Sequence, residues 1–228
     1  MSRHLSQDLN EAYHSLLRLS GQVEEMIDMG VRALVVRDDQ LALETIHRDE
    51  EIDQREVRIE EECLKMLALH QPVAADLRRV TTMMKINNDL ERMADLACNI
   101  AQRAHSVSPF RDFQIPSEIN QMAAMTTAMV RQSMDAFVNL DIDRAYQVIA
   151  EDDRVDAMNV KVIQHLVEMM AQNPETIATC LHCFSASRHL EQIADHATNV
   201  AEEVVYMVSG IIVRHRRTLE DRKSHGQD

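Results

Sequence analysis

A stretch of this chain occurs twice, and that repetition limits what the chain can fold into more than any single motif does. Ala33, Val35, Asp38, Ala42, Ile46, Asp49 and Asp53 return, in order and spacing, as Ala136, Val138, Asp141, Ala145, Ile149, Asp152 and Asp156. Further on, Leu90, Glu91, Ala94, Asp95, Ala97, Asn99 and Ala101 return as Leu190, Glu191, Ala194, Asp195, Ala197, Asn199 and Ala201. Two copies of one structural unit follow, so the second half must fold as the first does.

The unit is helical. Apolar residues fall at Ile52, Ile59, Cys63, Met66 and Leu67, and at Val80, Met83, Leu90, Met93, Ala94, Ala97, Ile100 and Ala101, the three-to-four spacing of one helix face. The second copy has the same pattern at Val155, Val162, Leu166, Met169 and Met170, then from Leu190 to Val208. Only 4 glycines and 4 prolines serve 228 residues, and aromatics make up 3%, too few turn formers and strand formers for a sheet protein of this size. Gln71-Pro72 and Asn173-Pro174 break the runs, and His105 to Pro116, with Ser106, Ser108, Pro109 and Pro116, separates the copies. The expected fold class is all-α: two tandem, pseudo-symmetric three-helix bundles, one over 1–108 and one over 109–228. The six helices are placed at 5–37, 40–70, 73–106, 117–139, 142–172 and 175–214, with Ser117 capping the fourth and Asn173 the sixth. Short connections make neighbouring helices antiparallel with left-handed packing. Whether the two bundles share a core is open from sequence.

Charge narrows the partners. A formal net charge of -14 repels nucleic acid and anionic membrane surfaces alike. The first residues lack the apolar run of a secretory leader, and Val204 to Val213, broken by Ser209-Gly210, is too short to cross a bilayer. The reading is cytoplasmic, with Cys63, Cys98, Cys180 and Cys183 as reduced core thiols.

The chemistry is carried by paired carboxylates. Glu91 and Asp95 lie one turn apart on one helix face, with Asn99 a turn further; Glu191, Asp195 and Asn199 repeat this. The preceding helix adds Asp49 and Asp53, repeated as Asp152 and Asp156. Among 38 acidic residues, roughly half a dozen such pairs arise by chance, so one pair says little, and duplication transmits useless features as faithfully as useful ones. Four pairs at matched positions nevertheless favour a metal site over a solvated face. All-oxygen donors suit Mg²⁺, Mn²⁺ or iron better than Zn²⁺, and adjacent carboxylates can bridge several ions. At about 100° per residue, Glu91, Asp95 and Asn99 point away from the apolar stripe, which predicts a site on the outer flank.

Other constellations are weaker. A ferritin-like di-iron bundle, enzyme or storage protein, is the alternative, through the Glu-x-x-His strings Glu11 to His14 and Glu44 to His47, although neither is duplicated. Cys180 and Cys183 share a helix face that His182 does not, which favours core thiols over zinc. His189 and His196 could add nitrogen ligands or remain surface imidazoles. Arg78-Arg79 and Arg214 to Arg217 could meet anions or a partner, or complement a helix terminus. No nucleophile elbow or phosphate-cradling glycine loop occurs, and an enzyme is not indicated.

Taken together, Gln71-Pro-Val-Ala-Ala-Asp-Leu-Arg78, Lys85-Ile-Asn-Asn-Asp-Leu-Glu-Arg-Met-Ala-Asp95, Arg188-His-Leu-Glu-Gln-Ile-Ala-Asp-His-Ala-Thr-Asn-Val-Ala201 and the ending through Ile212-Val-Arg-His215 resemble the PhoU family of phosphate-uptake regulators. The resemblance runs essentially the whole length. It implies two three-helix bundles, metal clusters held by Glu91, Asp95, Glu191 and Asp195 with Asp49, Asp53, Asp152 and Asp156 opposite, and a homodimer. It also implies a role in phosphate homeostasis: a cytoplasmic adaptor that negatively regulates phosphate transport and its signal transduction by coupling the ATPase of a phosphate ABC transporter to a sensor histidine kinase. One departure is Arg92, matched by Gln192 in the second copy, which implies unequal sites.

Overall fold

A computed structural model describes residues 3–213 of the chain, and these contain six long helices and one short 3₁₀ turn. They are α1 (Arg3–Val36), α2 (Asp39–His70), α3 (Ala74–Val107), α4 (Ser117–Asn139), α5 (Ile142–Gln172) and α6 (Ile177–Ser209), with the 3₁₀ turn at Pro174–Thr176 just before α6. There are no strands among the described residues.

The ends of these helices have local causes, and several causes are duplicated. Asp38 and Asp141 are the N-caps of α2 and α5, each side chain accepting from the backbone N–H three residues on (Leu41 and Arg144, both 3.0 Å). Arg37 and Leu140, the residues before them, both take the left-handed conformation (φ 56° and 54°), which turns the chain sharply between helices. Asn173 caps the 3₁₀ turn that leads into α6, its Oδ1 accepting from Glu175 N at 3.1 Å, whereas α6 itself starts after Thr176 without a side-chain cap. Two further expectations need correction. Ser117 is the first residue inside α4, with its hydroxyl on Glu118 and Pro116 ahead of it, and so does not cap. The last helix stops at Ser209, because Gly210 takes φ 74° and closes the helix with its N–H on Tyr206 O at 2.8 Å. Arg214 to Arg217 lie outside the described residues.

Within each half every helix packs on the other two. The halves do not stand apart: α3 and α6 pack along each other, α1 also meets α4, and the buried apolar side chains form one continuous cluster drawn from all six helices. The seam also carries polar ties. Lys85 Nζ donates to Glu203 at 3.0 and 3.1 Å, His196 Nδ1 lies 2.8 Å from Asp89 Oδ1, and Arg78 Nε reaches Met207 O at 3.5 Å. All four cysteines are free and buried, as core thiols should be.

Close approach of α1 to α3 depends on Gly30. A Cβ there would stand 3.0 Å from the Ala97 carbonyl oxygen and 3.6 Å from Ala101 N, backbone atoms of a rigid helix. At Gly21, also within α1, a Cβ would meet nothing within 4 Å. Opposite outcomes are expected in urea unfolding: Gly30→Ala lowers stability by about 1–2 kcal/mol through overpacking, whereas Gly21→Ala raises it by about 0.5–1 kcal/mol through helix propensity alone.

Candidate functional site

The second and third helices of each half pack against each other, and this brings the carboxylate pairs together. In the first half, α2 presents Asp49 and Asp53 towards Glu91 and Asp95 of α3. Asp49 feels the charges of Asp95 and Asp53, and Glu91 those of Asp95, Asp53 and Glu56. In the second half Asp195 of α6 faces Asp152 and Asp156 of α5, with Glu191 beside it on its own helix. All eight carboxylates singled out in the sequence therefore fall into two patches of four, one per half.

The patches lie at the surface, as the helical wheel predicts, with Asp53, Asp156 and Asp195 exposed, but the two glutamates are partly covered. Only 21% of the Glu91 side chain and 16% of Glu191 is exposed, because each lies in the groove where the neighbouring helix crosses. A wheel shows which way a residue points from its own axis, but not which helix stands there. Three oxygens in these grooves, Asp49 Oδ1, Glu91 Oε2 and Glu191 Oε2, are shut from solvent and accept no hydrogen bond. Burial is the first cause holding the carboxyls of Asp49 and Glu91 above their ordinary values, and neighbouring negative charge is the second. Asp195 is pushed furthest, to about 6, by loss of water and then by Asp152, Glu191 and Asp156, with His196 acting the other way.

The counter-cations differ between halves. Arg92 bridges Glu91 (3.5 Å) and Asp95 (3.4 Å), whereas in the second half Arg188 reaches Glu191 alone, at 2.6 Å. Asp95 and Asp195 line the same open cavity of about 460 Å³ between α3 and α6, with Arg92, Asn99, Gln192 and His196 around it. The two patches thus border one space at the seam. As the side chains stand, no three His, Cys, Asp or Glu among the described residues are close enough to hold an ion. Like-charged carboxylates repel one another, and these are set near each other without converging.

Residues outside the sequence reading also belong here. The Cys98 thiol sits against Asp49, and burial followed by that charge pushes it up to about 11. Glu56 falls on the same helix stripe as Asp49 and Asp53, a signal that was available, but its duplicate position is Asn159, so a search for matched acids passes over it. His196 is held by Asp89, and His189 lies near Ser185 and Gln192. Glu11, His14, Glu44 and His47 are all exposed, with Glu44 held by Arg48 at 3.2 Å, so the Glu-x-x-His strings do not point into a common core. Cys180 and Cys183 are fully buried while His182 is half-buried. Arg78 closes the end of α6, and Arg79 lies 3.6 Å from Asp76.

Comparison with known proteins gives this arrangement a family. A sequence model of the PhoU domain matches twice, over residues 16–104 and 119–204. The chain belongs to the PhoU family. The phosphate-specific transport system accessory protein PhoU homolog of Aquifex aeolicus is 38% identical over 216 residues, 95% of this chain and 98% of that one. Its Pseudomonas aeruginosa counterpart is 36% identical over 222 residues, 94% and 91% of the respective chains. The crystal structure of PhoU from Pseudomonas aeruginosa superposes with a TM-score of 0.86 at 35% identity, covering 90% of this chain and 99% of that one. The phosphate transport system regulatory protein PhoU from Streptococcus pneumoniae gives 0.86 at 27% identity, covering 92% and 99%. The PhoU fold, all-α with six helices, is therefore the fold of this chain. No helix among the described residues is long and apolar enough to cross a membrane.

The raised Asp195 carboxyl sets a sign for pH dependence. Between about pH 4 and 6 the folded chain holds this proton more tightly than the unfolded chain, so the stability it adds is present at low pH and lost as pH rises through about 6. Asp195→Asn mimics the protonated form. In buffer free of divalent ions, its melting temperature is expected to gain on the parent's as pH rises from 4 to 7; a difference that does not grow with pH contradicts the assignment.

Proposed function

We propose that this chain regulates phosphate uptake as a non-enzymatic, metal-binding cytoplasmic adaptor. It forms a homodimer and restrains the phosphate-starvation response by coupling the ATPase of a phosphate ABC transporter to a sensor histidine kinase. The observation that carries this reading is the family match in both halves, together with relatives named as accessory proteins of the phosphate-specific transport system over nearly the whole chain. A net charge of -14 fits a protein partner better than nucleic acid.

The metal part of the reading rests on donor chemistry. Asp49 Oδ1 and Glu191 Oε2 are buried acceptors without a hydrogen-bond donor, and Glu91 Oε2 has only the long Arg92 contact at 3.5 Å, in grooves where four carboxylates face one another. A hard cation such as Mg²⁺, Mn²⁺ or iron, bound singly or in a cluster, supplies positive charge that removes the repulsion and satisfies those oxygens. Glu91 and Asp95 with Asp49 and Asp53 would hold it in the first half, and Glu191 and Asp195 with Asp152 and Asp156 in the second. The helices bring these side chains near one another, with Glu91 and Glu191 the most covered of the pairs they belong to.

The regulatory role and the metal ligands are tested separately. Affinity capture from cells grown at high and at low phosphate should recover the transporter ATPase and the kinase, and deletion of the gene should raise phosphate-starvation transcripts at high phosphate; unchanged transcripts contradict the regulatory role. Metal analysis of purified protein beside the combined Glu91→Ala, Asp95→Ala, Glu191→Ala, Asp195→Ala variant tests the ligands, with metal lost from the variant. Equal content in both rejects the assignment.

A further inference from the structure

The two halves repeat one another in fold but have diverged in charge along the seam. Lys85 on α3 and Glu203 on α6 form an ion pair, their atoms 3.0 Å apart. The duplication matches Lys85 to Ser185 and Glu203 to Arg103, so at the pseudo-equivalent place the two helices present a hydroxyl and a guanidinium. Asp89 is likewise matched by His189, and Thr82 by His182. One end of the seam is therefore acidic with a cation paired to it, and the other is cationic.

At the cationic end Arg103 has no carboxylate within ion-pair distance among the described residues, and its Nε, shut from solvent, donates to no acceptor. His182, Ser185 and His189 lie at i, i+3 and i+7 on α6, which puts them on one stripe facing the same side. Burial first, and then the charge of the Arg103 guanidinium, disfavours protonation of both imidazoles. Ser185 Oγ lies 3.2 Å from His189 Nε2, which fixes the middle of the stripe. A buried guanidinium N–H without an acceptor is costly, and where a lysine stands in the other half a serine leaves more room.

We infer that Arg103, His182, Ser185 and His189 form a binding site for a small oxyanion of the phosphate or sulfate type, at the opposite end of the α3–α6 seam from the Lys85–Glu203 pair. The guanidinium supplies the fixed charge and a planar pair of donors, the geometry that suits an oxyanion. The serine hydroxyl and the imidazoles supply further polar groups from the facing helix. The site uses none of the eight carboxylates in the two acidic patches, so it stands or falls independently of metal binding.

The test is calorimetric titration of metal-stripped full-length protein with inorganic phosphate, sodium sulfate and, at matched ionic strength, sodium chloride. Saturable binding of phosphate, sulfate or both is expected, with the stronger one identifying the preferred anion. Arg103→Ala should weaken it at least about tenfold. Ser185→Glu places a carboxylate opposite Arg103, recreating an ion pair of reversed polarity, and should abolish binding while the melting temperature is maintained. The inference is overturned by binding no stronger than that of chloride, by no binding, or by binding that survives Arg103→Ala or a folded Ser185→Glu variant.

Discussion

Packing of α3 on α6 is the constraint on which the rest depends. Each is the third helix of its half, and each meets both of its own partners as well as the other. Small buried residues recur along both, Ala94, Ala97, Ala101 and Ala104 on one, Ala186, Ala194, Ala197 and Ala201 on the other, which lets neighbouring helices come close. Gly30 extends this to α1, whose backbone approaches Ala97 and Ala101. Because the core is continuous through both halves, the carboxylate grooves are held in fixed relation to each other. That is how Asp95 and Asp195, a hundred residues apart in sequence, come to border one cavity.

Electrostatics works against that packing. The same helix contacts that bury apolar faces also press like charges together at the groove edges, and they bury acceptor oxygens that find no donor. A structure that only had to be stable would place lysine or arginine there, as it does at Glu24 with Arg131 and at Glu25 with Arg48. In the grooves Arg92 and Arg188 compensate that charge in part. Local strain of this kind, repeated in two copies, is what a cation-binding function would require.

Most of the helical frame could be read from the residues. Asp38 and Asp141 as caps, Pro72 and Pro174 as interruptions, and the apolar stripes placed eleven of the twelve helix ends within two residues. The end of α6 was misplaced because an apolar run continues through Ile211 and Ile212, and the left-handed Gly210 that stops the helix looks in sequence like one more small residue. A common core was not legible, since an alanine stripe packs equally well within a three-helix bundle or between two. The acidic residues and their place at the surface could be picked out by duplication and the helical wheel, but the partial cover over Glu91 and Glu191 could not, because it is set by the crossing helix. Glu56 and Cys98 were missed for a related reason: each joins the first patch from a position whose copy, Asn159 or Thr198, is different.

The central claim is that the two carboxylate patches are built to receive a cation. Thermal unfolding of chelator-stripped protein, followed while Mn²⁺ is added, tests it most directly, with Na⁺ at equal ionic strength as the control. A cation that binds the folded chain in preference to the unfolded one raises the melting temperature saturably. The account predicts such a rise with Mn²⁺ and none with Na⁺. A melting temperature indifferent to Mn²⁺, or one that climbs equally with Na⁺, would contradict it.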